Sequence, residues 1–499
     1  MIPELESFNL PVLSLITLTP VVGAILLSLV DRNNKALLRQ AALMISFLTL
    51  LFSLLMIGNF DNAVGTMQLE EQHTWIESLG ISYHLGVDGI SVLLVLLTSF
   101  SMPLVFLSTW SAIDDRVKEF QIALLLLQTG MIGAFLALDL ILFYFFYEAM
   151  LIPMYLIIGI WGGRERIYAA LKFFIYTMVG SLLMFLAILY LYQHTGTFDL
   201  PLMLERIRST HPLGPDQQFW LFSAFTLSFA IKVPLFPFHT WLPDAHVQAP
   251  TAGSVVLAGV LLKMGTYGLL RFSIPLFSDA AFDLQGVMCW LAIIGIIFGA
   301  CMALVQNDIK KLIAYSSVSH LGFVVLACFI PSVEAITGGI LQMVNHGLST
   351  GMLFLMIGII YERRHTRELA DYGGLAKVIP MFTIFFLIAV LSSIGLPGLN
   401  GFVGEFLILF AVFRDFPLWG VLASTGVVLG ALYMLNMVKR FLFGPIVHEE
   451  NRTVADLSVR EIIYLLPFVV MMFWLGLYPA PFINMVKPTL VLYVEMLKS

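Results

Sequence analysis

The stretch FAIKVPLFPFHTWLPDAHVQAPTAGSVVLAGVLLKMG, residues 229–265, sets two lysines, Lys232 and Lys263, inside sequence that otherwise reads as membrane-spanning. The surrounding chain leaves them no soluble domain to belong to. Hydrophobic residues make up 59% of its 499 positions and charged residues 12%, with a mean hydropathy of +0.93, against an apolar share of about 45–50% in soluble domains. Apolar runs of about 20 residues, the length that crosses ~30 Å of hydrocarbon as helix, recur from end to end. Backbone polar groups in lipid must be satisfied within the structure, and runs this continuous lack the alternation of barrel strands. The expected fold is therefore an all-α integral membrane protein.

Several function classes are excluded early. The formal charge of -6 is dispersed, without a basic stripe for nucleic acid. Cys289, Cys301 and Cys328 are widely spaced in apolar runs, which suits buried small hydrophobes better than a disulfide framework or a metal site. No GxxxxGK[ST] loop, no strand-to-helix GxGxxG and no cysteine cluster is present, so neither metal nor cofactor is expected in this chain. The opening MIPELESFNLPVL carries Glu4 and Glu6 in place of a basic leader, so the first span is expected to be permanent.

Fourteen helices are expected, at 10–30, 39–58, 89–109, 119–138, 140–161, 170–193, 218–242, 249–270, 283–305, 311–330, 334–361, 379–411, 417–443 and 462–486. Eighteen of the 26 lysines and arginines fall in one set of alternate loops, among them Lys172 and Lys310, and six in the other. The basic side reads as cytoplasmic, with both termini on the outer, periplasmic side. Two segments look broken: FAIKVPLFPFHTW, with Pro234 and Pro237, and LSSIGLPGLNGFVGEFLILF, with Pro397 and its glycines. They fall in helices 7 and 12, so helices 4–8 and 9–13 form two five-helix units of opposite orientation, an inverted repeat. The expected divisions are an N-terminal three-helix segment (1–118), a first unit (119–270), a second, inverted unit (283–443), and a loop with the last helix (444–499).

Six ionisable residues fall near the middle of spans: Glu148, Lys232, Lys263, His320, His346 and Glu405. A charge at the bilayer centre costs about 2.5–3.5 kcal/mol on insertion scales, so such residues normally face protein or water and serve a path. Acids, lysines and histidines together have the composition of a proton relay. A carboxylate beside a dry lysine modulates its proton affinity, and histidine both accepts and donates near neutrality. His239, Asp244 and His246, on the basic side of the seventh helix, mark a candidate proton entrance.

IKVPLFPFHTWLPDAHVQAPTAGSVVLAGVLLKMGTYGLLRFS, with FYFFYEAMLIPMY, NDIKKLIAYSSVSHLGF, NHGLSTGMLFL and GLPGLNGFVGEFLIL in order over nearly the whole chain, resembles the antiporter-like subunit M family of bacterial complex I, equivalent to mitochondrial subunit 4. The resemblance implies a proton-translocating membrane-arm subunit of NADH:quinone oxidoreductase in the bacterial inner membrane. By motif, Glu148 and Lys232 would be the interacting pair, Lys263 the connecting lysine, Glu405 the terminal acid, and His320 and His346 positions between the last two. It further implies that NADH, FMN, iron–sulfur clusters and quinone belong to other subunits, and that the neighbours are L-type and N-type antiporter-like subunits and lipid. The L-type carries lysine where this chain has Glu405, and a long C-terminal lateral helix. The D-type component of multisubunit sodium/proton antiporters is the alternative. A cyanobacterial or plastid subunit 4, in a thylakoid membrane, shares these motifs.

Overall fold

The computed structural model describes residues 10–446 and 448–498; residues 1–9, and with them the expectation of no leader, lie outside it. Among the described residues, twelve helices are long and apolar enough to cross a membrane. Two further crossings are built from shorter pieces: Pro215–Lys232 with Trp241–Gln248, and Pro380–Ser393 with Asn400–Asp415. Numbered in chain order, these give fourteen spans, with spans 7 and 12 discontinuous where the proline- and glycine-rich segments predict.

Burial orders the spans. Span 8 (Thr251–Leu276) and span 11 (Val333–Arg364) are buried along their whole apolar windows, whereas span 2 (Lys35–Asn59) and span 6 (Arg166–Thr195) expose leucines and aromatics along one side. Such an apolar belt is what a lipid-facing surface requires. Close helix approach is made by small residues. A Cβ on Gly265 would lie 2.6 Å from the Phe229 carbonyl oxygen, so only glycine lets span 8 sit directly on the half-helix that carries Lys232.

The inverted repeat has a structural mark at each face. Asp139 caps span 5 (Leu140–Trp161) by accepting from the Ile141 and Leu142 amides, and its backbone bridges Asp199 after span 6. Asp308 caps span 10 (Ile309–Cys328) in the same way, accepting from Lys310 and Lys311, and bridges Glu368 after span 11. The first pair lies at the ends of its helices away from the basic loops and the second at the basic ends, as opposite orientation demands.

Four local expectations need correction. The segment between the second and third expected helices is not a plain connection: Gln68–Ile76 and Ile81–Val87 pair as an antiparallel hairpin, a small sheet in a protein otherwise helical among the described residues. His84 on this hairpin bonds Asp199 at 2.6 Å and Glu70 at 3.1 Å. Burial opposes a charge there, but the two carboxylates outweigh it and hold the imidazole above its ordinary range. The last helix is not one piece ending near 486: span 14 is Val459–Leu477, and a separate helix, Ala480–Lys498, follows after Pro479. Cys301 is exposed on span 9 (Gln285–Leu304), although Cys289 and Cys328 are buried as expected. Lys172 and Lys310, counted with the basic loops, lie inside spans 6 and 10.

Sequence reasoning also missed a buried ion pair that pins the outer face. Arg271, one residue past the expected end of the eighth helix, sits near the end of span 8 and donates to both oxygens of Asp88 at 2.8 and 2.5 Å. Neither side chain is more than 8% exposed. Removing one member of a buried pair typically costs about 3–5 kcal/mol, because the other charge is left uncompensated. Arg271→Leu is expected to lower the thermal unfolding temperature of the detergent-solubilised assembly and its yield; an unchanged melting curve would count against a stabilising role.

Candidate functional site

The six midplane residues arrange themselves along the buried interior, and four of them are continuous. Lys263 donates to the Ala258 carbonyl of its own helix, and its Nζ lies 2.7 Å from His346 Nδ1. The His346 ring faces the His320 ring at 5.9 Å between centroids. His320 Nδ1 lies 3.2 Å from Glu405 Oε1. Its Nε2 faces the hydroxyls of Ser393 and Tyr433 at 3.3 and 3.4 Å. All four side chains are buried.

Local backbone irregularity aims these groups. Span 8 contains two wide, π-helical turns, Leu257–Leu261 and Leu269–Ser273, on either side of Lys263. The Leu262 amide reaches back to Leu257 instead of Ala258, and the Ala258 carbonyl accepts the ammonium. In span 12 the break between Ser393 and Asn400 holds Gly395 at φ +74°, and a Cβ there would lie 2.8 Å from the Glu405 Oε2 atom. Both conformation and space therefore call for glycine at 395. Asn345 ties the break to span 11 by donating to the Asn400 carbonyl at 2.8 Å. Gln342 donates to Glu405 Oε1 at 3.1 Å.

Gln342 and Asn345 were not singled out by sequence, although Gln342, Asn345, His346 and Ser349 form a polar stripe at helical spacing that could have revealed them. Glu405 also lines a cleft of about 480 Å³ with Gly395, Pro397 and Phe406, and the cleft extends to Arg414 at the outer end of span 12.

Glu148 and Lys232 are near each other without bonding. Each lies within the electrostatic field of the other, yet Lys232 Nζ and Glu148 Oε1 have no hydrogen-bond partner among the described residues. The Lys232 ammonium lies over the faces of Tyr147 and Phe173, at 5.0 and 5.7 Å from their centroids, where ring quadrupoles offset part of the lost hydration. It is also the last residue of its half-helix. The unsatisfied carbonyls at such an end carry partial negative charge that favours a cation. One freed carbonyl, that of Ile231, is taken by the Trp241 indole at 2.8 Å. Pro234 lies in this break, as Pro397 lies in the break of span 12.

The expected entrance residues separate into two places. Asp244 pairs with Lys172 at 2.6 Å near the basic face, and His239 stacks on Phe236 at 5.6 Å beside Phe298. His246 instead turns inward. It is fully buried, stacks on Phe354 of span 11 at 4.7 Å between centroids, and has no hydrogen-bond partner on either ring nitrogen among the described residues. Its electrostatic neighbours are Lys310 and Lys263.

Fourteen crossings, two broken at ionisable residues and threaded by a buried line of lysine, histidine and carboxylate, define a helical membrane protein of the ion-translocating class. Comparisons narrow the class. Residues 137–430 match the family described as NADH:quinone oxidoreductase/Mrp antiporter, TM. NADH-quinone oxidoreductase subunit M of Rhodobacter capsulatus is 46% identical over 496 residues, covering 97% of this chain and 96% of that one. The chain belongs to this family, as a subunit M of NADH-quinone oxidoreductase, and its partners are other subunits of that complex. A chain of respiratory complex I from Thermus thermophilus superposes with a TM-score of 0.88 at 33% identity, over 97% of this chain and 99% of that one. A chain of the Mrp complex from a Dietzia species shares the fold, with a TM-score of 0.86 at 19% identity over 98% and 99% of the two chains.

Proposed function

We propose that this subunit carries protons across the membrane along its buried polar axis, driven by quinone reduction elsewhere in the complex. The observation that carries the reading is the unbroken sequence Lys263, His346, His320, Glu405, in which every neighbour is within hydrogen-bond or ring-contact distance. In this reading the first unit (119–270) holds the switch and the second (283–443) the outlet. Glu148 and Lys232 form the switch: they attract without bonding, so a small change in their separation alters the proton affinity of Lys232 and hence of the axis beyond it. Glu405 releases the proton into the cleft that extends to Arg414. His239 and Asp244 stand at the basic face as a second approach to the interior. The three-helix segment (1–118) and the C-terminal part (444–499) brace the two units.

The electron carriers (NADH, FMN, iron–sulfur clusters and quinone) are held by other subunits, and this chain has no redox centre of its own. Its membrane-arm neighbours are of L-type and N-type. The membrane is the bacterial inner membrane, with both termini on the periplasmic side; in a cyanobacterium it would be the thylakoid. Sodium is the competing ion, by analogy with the sodium/proton antiporters that share the fold. The test is NADH-driven acidification of proteoliposomes in sodium-free medium. Pumping per electron pair is expected to equal that at physiological sodium; a requirement for sodium would overturn the assignment of the proton.

A further inference from the structure

We propose that Lys310 and His246 form the uptake gate of this subunit, passing a proton from a basic-side cavity to Lys263. The inference rests on the relay reading above and adds its inlet.

A cavity of about 1040 Å³ opens on the basic face, where the loop after span 5, the turn between spans 7 and 8, and the ends of spans 10 and 11 meet. Lys310 is one of its lining residues and is only 7% exposed. Its ammonium donates to the Ala249 carbonyl at 2.6 Å. The adjacent carboxylate, Asp308, is committed elsewhere: it caps the Lys310 and Lys311 amides and faces Arg367 at 3.4 Å. Lys310 is thus a buried ammonium whose nearest acid is already shared with a guanidinium. A methionine would fill the same space without the desolvation penalty, so stability alone does not account for it.

Three residues before Ala249, whose carbonyl accepts from Lys310, is His246, followed in sequence by the cavity-lining Val247, Gln248 and Ala249. Its two unpartnered ring nitrogens, Nδ1 and Nε2, are the features a proton acceptor and donor needs. Its electrostatic neighbours are Lys310 on the cavity side and Lys263 and His346 on the axis side. Lys310 takes a proton from the cavity, His246 receives it, and Lys263 or His346 accepts it in turn.

The inverted repeat supplies a control within the molecule. At the outer face Asp139 occupies the place of Asp308, but the residue two beyond this cap is Ile141, not a lysine. That end is covered by the hairpin, whose Leu85 bridges Ala137 and whose Ser82 amide donates to Asp139 at 3.0 Å. Of the two capped helix starts, the lysine stands at the one beside the cavity on the basic face.

The test uses the whole assembly in proteoliposomes with its NADH-oxidising face outward, carrying Lys310→Gln, Lys310→Arg or His246→Phe. Glutamine keeps a donor for Ala249 without a titrating group, arginine keeps the charge but holds its proton, and phenylalanine keeps the stack on Phe354. In each variant, coupled turnover is expected to fall about tenfold at pH 8 and far less at pH 6, a modest part of the usual acid–base contribution, and in Lys310→Gln, whose side chain lines the open cavity, added imidazole is expected to restore it. A loss that is equal at all pH values and not rescued would mean a structural role and overturn the gate. Should Lys310→Gln fail to assemble, Lys310→Arg decides the matter. Lys232→Ala run in parallel separates the two ideas: if it is inactive while the Lys310 variants pump normally, the gate alone is wrong, and if it too pumps normally, the relay reading fails with it.

Discussion

Lys232→Ala is expected to lower proton pumping, and the NADH:quinone turnover coupled to it, by roughly 100-fold, the lower end of what a positioned acid–base group contributes. The assembled complex should accumulate to its normal level. The second expectation follows from the surroundings of Lys232: its ammonium is buried and makes no hydrogen bond to the described residues. Truncation therefore removes a desolvated charge without orphaning a partner, apart from weakening the field at Glu148. Stability and activity respond separately here, which is uncommon for a core position. Pumping by reconstituted complex, quantified against turnover and against native-gel abundance, checks both halves. Unchanged pumping per electron pair would mean that the charge is structural, and the switch assigned to Glu148 and Lys232 would be lost.

The second large effect concerns the other end of the axis. Glu405→Gln preserves shape and most bonding: Gln342 and His320 both meet the Oε1 position, and an amide oxygen placed there can still accept from each. What it removes is the ability to take a proton from His320 and release it to the cleft. A fall in pumping of about 100-fold is expected, together with a rise in activity when Glu405→Asp restores the carboxyl one methylene shorter. If Glu405→Gln pumps at the normal rate, protons leave the axis before Glu405, with Tyr433 or Ser393 beside His320 as the next places to look.

Much of this architecture was legible because lipid restricts the choices. Apolar run length located the spans, and prolines and glycines located both breaks. The scarcity of buried charges made Glu148, Lys232, Lys263, His320, His346 and Glu405 conspicuous. The contact order within that set was not legible, since it depends on which helices touch. Lys263 meets His346 because span 8 packs against span 11, a pairing no periodicity announces. Lys310 was hidden for a related reason. Next to Asp308 and Lys311 it reads as part of a charged connection, and only tertiary packing under the 247–252 turn buries it. His246 went the other way, from an expected mouth residue to an interior one, because the second half of span 7 turns its ring onto Phe354. The hairpin was obscured by its acidic strand, QLEEQHTWI, whose glutamates and glutamines resemble an exposed loop until Ile81–Val87 pairs with it.

The wide turns around Lys263 make span 8 sensitive to chain length in a way its neighbours are not. A π-turn accommodates one residue more than the α-helical turn it replaces, and each residue of an α-helix advances by about 100°. Deleting a single residue within 257–261 would let that turn close to regular helix: the residues beyond it would keep nearly their bearing, but a ladder amide would take the carbonyl that now accepts the Lys263 ammonium. Lys263 would still face His346 but lose the carbonyl that anchors it, with hardly a change in hydropathy and none in span count. Insertions and deletions in this segment are thus a stricter constraint than substitutions, and homologous chains that conduct along the same line should keep its length fixed even where its letters differ.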